Sequence, residues 1–277
     1  MKIPIPEIDE RYDSTEDALE HLIRICDVLL EKAMLTNGEV SVNNIPGYLL
    51  AFCEKVLTQA RTFLDVVRKK TDFSSAMALL RILTDNISII KLIYTAEDSE
   101  ERVLRHLLYV IDGVNDRLKL LESRPLKYDG SIPLEVYNEL NKQVQFAKEN
   151  CRKCIDLCVA SIKRLHVYTA YQLNVDALIR NNNWKYKNIE RPRQSYTWKE
   201  MYCLLDIRDF SDIFSYLSQY IHGLSVSNIL IDSEDDFEPA MSFAYCLIGW
   251  LFTLLRRVYE PTIVAYTWED IYRMCVK

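Results

Sequence analysis

At 277 residues the chain can bury a sizeable core, in one large domain or in two of ordinary size. Six glycines and eight prolines are too few for the frequent turns of an all-β fold, and long runs rich in Leu, Ile, Ala, Glu, Lys and Arg favour helices. A formal net charge of −6 excludes a global positive field for nucleic acid or an anionic membrane, so any such binding must rest on a local patch.

The first residues, Met1-Lys2-Ile3-Pro4-Ile5-Pro6-Glu7, carry neither the apolar core nor the small-residue cleavage site of a secretory signal. A cytosolic location is expected, and with it reduced thiols at the eight cysteines. Ser14-Thr15-Glu16-Asp17 has the form of a capping box and opens an amphipathic stretch through Leu19, Leu22, Ile23, Cys26, Leu29 and Leu30 to a stop at Asn37-Gly38. A second helix follows Pro46 and runs through Phe52, Val56, Ala60, Phe63 and Val67 to Lys69-Lys70. A third, from Ser74 to Thr95, is apolar around most of its circumference. Its polar residues Arg81, Thr84, Asp85, Ser88 and Lys91 recur at spacings of three and four, which places them in one narrow stripe. Ser99, with Glu100 and Glu101 in the first turn, starts a fourth helix that ends before Pro125.

The segment 127–133 is a turn-rich connection, and a weak subdivision of the chain is placed near 124–133. From Pro133 a long helix carries Val136, Leu140, Val144, Ala147, Cys151, Cys154 and Cys158, with coiled-coil steps of four and three from Leu140 onward and a break near His166. The stretch from Asn181 to Tyr196 has no helical period. Thr197-Trp198-Lys199-Glu200 is another capping box, leading into Met201–Leu205. The next helix, Ser211 to His222, carries a second polar stripe of Ser211, Ser215, Ser218 and His222, followed by Gly223. After the acidic run 232–238 comes the uncharged helix Pro239–Leu255, slightly short of a bilayer span and read as a buried core helix. Thr267-Trp268-Glu269-Asp270 caps a short terminal helix. The expected fold is a single all-α domain over 1–277, a bundle of about eight helices with one long coiled-coil-like member.

If the two stripes face each other, Arg81, Asp85, Ser218 and His222 form a buried polar constellation that could bind or react. Each also has a structural reading. Arg81 and Asp85 are spaced for an intrahelical ion pair, and His222 before Gly223 fits a helix C-terminus. A Ser and a His four residues apart on one helix rarely give the nucleophile the orientation that acyl transfer requires. Arg180, Lys185, Lys187, Arg191, Arg193 and Lys199 make the one cationic patch, interleaved with Trp184, Tyr186, Tyr196 and Trp198 as single-stranded nucleic acid binding requires. Glu190 and Glu200 interrupt it, and aromatic side chains can equally anchor such a loop to the bundle. Cys151, Cys154 and Cys158 share a helical face, but no second Cys-x-x-Cys or His pair completes a zinc set, so no metal and no cofactor is expected.

An Arg-x-x-x-acid helix followed by a Ser-x-x-x-His-Gly helix resembles a broad group of bacterial all-helical proteins, some similar to abortive-infection and other phage-defence components. The resemblance follows the order of elements over residues 45–225 and rests on Arg81, Asp85, Ser218 and His222, with Asp85 where Glu is expected. It implies a cytosolic helical interaction or effector module of a bacterial stress or phage-defence system, with a protein partner or a second copy of the chain. Two alternatives are a nuclease-like or other hydrolytic effector using His222 with Arg81, and a membrane-perturbing effector using the 239–255 helix. The helical ribonucleases named for higher-eukaryote and prokaryote nucleotide-binding proteins are marked by Arg, four to six residues, then His. None of His21, His106, His166 and His222 has an arginine at that spacing.

Overall fold

The computed structural model describes residues 14–37, 39–70, 72–123, 125–205, 210–221 and 237–263. They form an all-α protein of ten helices: α1 Thr15–Asn37, α2 Ile45–Lys69, α3 Phe73–Tyr94, α4 Ser99–Ser123, α5 Leu134–Ile162, α6 His166–Ala170, α7 Gln172–Arg180, α8 Trp198–Cys203, α9 Phe210–Ile221 and α10 Phe237–Ile263. No strand occurs among the described residues, only two isolated bridges, Ser41 with Asn44 and Tyr186 with Ser195. The terminal helix expected after Thr267 lies outside the described residues.

Local chemistry sets the helix ends. The Ser14 hydroxyl accepts the backbone N–H of Asp17 at 3.1 Å and donates to its carboxylate at 2.8 Å, an N-cap at the start of α1. Asn44 caps α2 by accepting from the N–H of Gly47, while its amide donates to the carbonyls of Asn37 and Glu39 at 2.7 Å. A Cβ on Gly47 would fall 2.6 Å from that amide nitrogen, which is why glycine stands there. Asp72 and Asp98, each just ahead of the serine that the sequence points to, cap α3 and α4.

The described residues divide into two compact units, one within 1–92 and 198–277, the other 93–197. In the first, α1 packs on α2 and α10, and α10 on α2. Leu19, Cys26, Leu29 and Ala33 of α1, Val56, Leu57, Ala60 and Phe63 of α2, and Ala244, Leu247, Ile248 and Leu251 of α10 build a core closed to water. α3 is apolar on nearly every side, and of its polar stripe Arg81, Thr84 and Ser88 are buried while Asp85 and Lys91 are half-buried. Residues 237–256 of α10 are long and apolar enough to cross a membrane, and more than half of that stretch is buried within the protein. Inserting it would strip α10 from α1 and α2.

The second unit is built on the α4–α5 hairpin, joined by a turn in which Asp129 accepts from the N–H of Ser131 and Gly130 takes φ +81°. The connection at 124–133 is therefore the tip of a hairpin inside one unit. The hairpin's base is buried through Leu104, Leu107, Leu108, Ile111, Cys151, Cys158 and Ile162. α5 stops at Ile162, where Leu165 turns extended, and the Glu100 carboxylate of α4 accepts the backbone N–H groups of His166 at 2.9 Å and Val167 at 2.8 Å. That acceptor, 66 residues away in sequence, starts α6. With α7 it raises the helix number above the expected eight.

Candidate functional site

In the first unit Arg81 and Asp85 lie one turn apart on α3, and both partners that complete their cluster come from other helices. The Arg81 Nε donates to the two Asp85 carboxylate oxygens at 3.1 and 3.2 Å. One terminal nitrogen of Arg81 donates to Ser218 Oγ of α9 at 2.5 Å. The Tyr202 hydroxyl of α8 donates to Asp85 Oδ1 at 2.6 Å, and the Arg81 guanidinium lies 5.3 Å from the Tyr202 ring centroid. Arg81 is buried, Tyr202 is fully buried, and Asp85 and Ser218 are half-buried. Three of the four residues singled out from the stripes thus come together, and His222 lies outside the described residues.

Burial pushes the Tyr202 phenol far above its ordinary pKa, and the Asp85 carboxylate adds to the shift against the smaller opposing effect of Arg81. Tyr202 therefore stays a neutral donor to the Asp85 carboxylate. Ser218 receives its hydrogen bond from a guanidinium, which holds its protons at any accessible pH and cannot serve as a base. The arrangement ties α3, α8 and α9 together through one partly buried charge pair. Tyr202 escapes a search for polar stripes because tyrosine at a helical core position looks like packing. The Thr197 to Glu200 pattern ahead of it in the sequence was its one signal. The residues preceding Arg81 and Ser218, Leu80 and Leu217, line an apolar cavity of about 240 Å³ with Phe73, Met77, Tyr216 and Phe243.

In the second unit the cationic loop is held by its aromatics. Trp184 and Tyr186 are buried. The Trp184 indole N–H donates to Asp112 of α4 at 3.0 Å, and its ring meets Tyr109 edge-on. Arg105 of α4, 3% exposed, donates to Glu101 at 2.7 and 2.9 Å and to the Trp184 carbonyl at 3.1 Å, and lies 4.0 Å from the Tyr186 ring centroid. The loop's own cations point elsewhere: Arg180 donates to a carbonyl of its own helix, Lys187 sits over Tyr196, and Arg191 and Arg193 are exposed. Lys185 lies over the Trp184 ring, and with Arg193, Asp112, Asn182, Asn183 and Ser195 lines an open polar cleft of about 600 Å³. Of the four aromatics interleaved with the cations, Trp184 and Tyr186 are buried and Tyr196 and Trp198 half-buried.

Asp112 is held above the ordinary carboxylate range, chiefly by burial, against the indole hydrogen bond that favours its charged form. Between its unfolded and folded pKa values the folded chain keeps a proton that the unfolded chain has lost, so stability falls as pH rises through that window. Asp112→Asn retains an acceptor for Trp184 and removes the charge. Its expected melting temperature at pH 7 equals or exceeds that of the wild type, with the difference narrowing in acid. Asp112→Ala, which orphans the indole N–H, is expected to lose ~1 to 3 kcal/mol. Melts of the two variants check this, and Asp112→Asn melting below the wild type would contradict it.

Cys151 and Cys158 are buried and Cys154 is half-buried. The Cys158 thiol is pushed up to about 12 by burial and by its neighbour Cys154. Among the described residues no group of three or more His, Cys, Asp or Glu is placed to hold a metal ion. Fold and site together define an all-α protein. Compared with family models, with curated proteins and with solved structures, the chain finds no match.

Proposed function

We propose that the chain is a cytosolic helical interaction module, of the effector kind implied by its resemblance to phage-defence components, and that Arg81, Asp85, Tyr202 and Ser218 clamp its first unit. The observation that carries this reading is the closure of the cluster. The Arg81 donors rest on Asp85 and Ser218, Tyr202 donates to Asp85, and the serine hydroxyl faces a cation that cannot take its proton. A further support is the outer half of the α4–α5 hairpin, where Leu120, Leu126, Leu134, Val136, Leu140 and Phe146 are exposed together. That half of α5 continues the coiled-coil steps of the base with α4 covering one side only.

The test compares stability with biological effect. Tyr202→Phe and Asp85→Asn are melted as purified proteins and expressed in bacteria, with growth arrest and survival of phage infection as readouts. A clamp predicts that any loss of effect follows the loss of melting temperature. A hydrolytic centre predicts variants that melt like the wild type and have no effect.

A further inference from the structure

The outer half of α5 presents a second heptad seam beside the one that α4 covers. Val144, Cys151 and Cys158, seven residues apart, turn toward α4, and the latter two are buried. Val136, Leu140, Gln143, Ala147, Asn150, Cys154 and Leu157 follow one another in steps of four and three on the adjoining face. Of these, Val136, Leu140, Gln143, Asn150 and Leu157 are exposed and the others half-buried. Phe146, 64% exposed, flanks the seam at its midpoint. Glu139 and Lys153 stand one heptad before and one heptad after Phe146, on the same flank.

That spacing is self-complementary. We propose that a second copy of this chain docks antiparallel on the open seam of α5, with the two-fold axis at Phe146 and Glu139 of each copy paired with Lys153 of the other. In an antiparallel coiled coil the residues flanking the seam on one side meet their own kind from the partner. An axis at Phe146 stacks the two phenylalanines on each other and brings each glutamate beside a lysine, twice over. The same register layers Val136 on Cys154, Leu140 on Asn150 and Gln143 on Ala147. A parallel pairing would instead set Glu139 and Lys153 against the flank of Val144, Cys151 and Cys158 that α4 covers, with no charge pair between copies. In the single chain Lys153 is held only by an exposed pair with Glu149 at 2.8 Å, an interaction worth a few tenths of a kcal/mol, so it is free to exchange partners.

The seam from Val136 to Leu157 is about 33 Å long, and its polar middle layers make the pair a reversible one of about micromolar affinity. The inference rests on the interaction-module reading and names the partner as the chain itself. Sedimentation equilibrium of the full 32.5 kDa chain from about 1 to about 100 µM is expected to show a monomer passing to a dimer. Phe146→Glu, at an exposed position, leaves helicity and melting unchanged and weakens the dimer at least about tenfold, because it places two carboxylates on the axis. Glu139→Lys alone weakens it, and adding Lys153→Glu restores it. A chain that stays monomeric throughout, or a dimer indifferent to Phe146→Glu, overturns the proposal. Either result leaves the clamp to be decided by the melts and cellular readouts, which measure a different quantity.

Discussion

Arg81→Ala is expected to destabilise the protein by ~3 to 5 kcal/mol, the largest loss from any single change in the first unit's polar cluster. Removing the guanidinium deletes the bonds to Asp85 and Ser218 and leaves the Asp85 carboxylate half-buried beside Tyr202 with its cation gone. The partial exposure of Asp85 places the effect toward the lower end of that range. Arg81→Lys is expected to recover only part of it, because an ammonium cannot span the carboxylate and the serine hydroxyl with the planar fork of a guanidinium. Urea denaturation of the three proteins measures both differences. Arg81→Ala within about 0.5 kcal/mol of the wild type would show that the cluster does not hold α3 to α8 and α9.

Arg105→Ala is expected to cost a similar ~3 to 5 kcal/mol in the second unit. Arg105 is more deeply buried than Arg81 and joins α4 to the loop through three contacts: Glu101 on its own helix, the carbonyl of Trp184, and the face of Tyr186. Its loss removes a hydrogen bond to a buried carbonyl, leaves the space of a long side chain, and frees the loop that Trp184 and Tyr186 anchor. Hydrogen exchange is expected to rise most in residues 181–197 and along the first turns of α4. Exchange in that loop matching the wild type would contradict the anchoring role.

The helices were legible wherever a period could run for several turns. The ends of α1 and α2 stood in the sequence as Ser14 to Asp17, Asn37-Gly38, Pro46 and Lys69-Lys70. α6 and α7 were not legible, because five and nine residues are too few to establish a period and because the cap on α6 comes from Glu100 in a distant helix. The connection at 124–133 has the composition of a boundary as much as of a hairpin turn, and only the packing of α4 on α5 decides between them.

Of the candidate site, Arg81, Asp85 and Ser218 were legible because a narrow polar stripe on an otherwise apolar helix has to face something polar. Tyr202 was hidden by its own apolar body. Arg105 was hidden differently: one charge among many in α4, its burial depends on where the loop of Trp184 and Tyr186 folds back. The same fold-back buries Trp184 and Tyr186.

Ser218→Ala is the most direct test, since Ser218 is the one residue of the cluster that a hydrolase would use as its nucleophile and a clamp would use only as an acceptor. The clamp predicts a loss of ~1 to 2 kcal/mol, the value of a hydrogen bond from a charged donor at a half-buried hydroxyl. The cellular effect would then fall only as far as the melting temperature falls. A Ser218→Ala protein that melts with the wild type and yet has lost all effect in growth and phage-survival readouts would contradict the clamp and make Ser218 a reacting group.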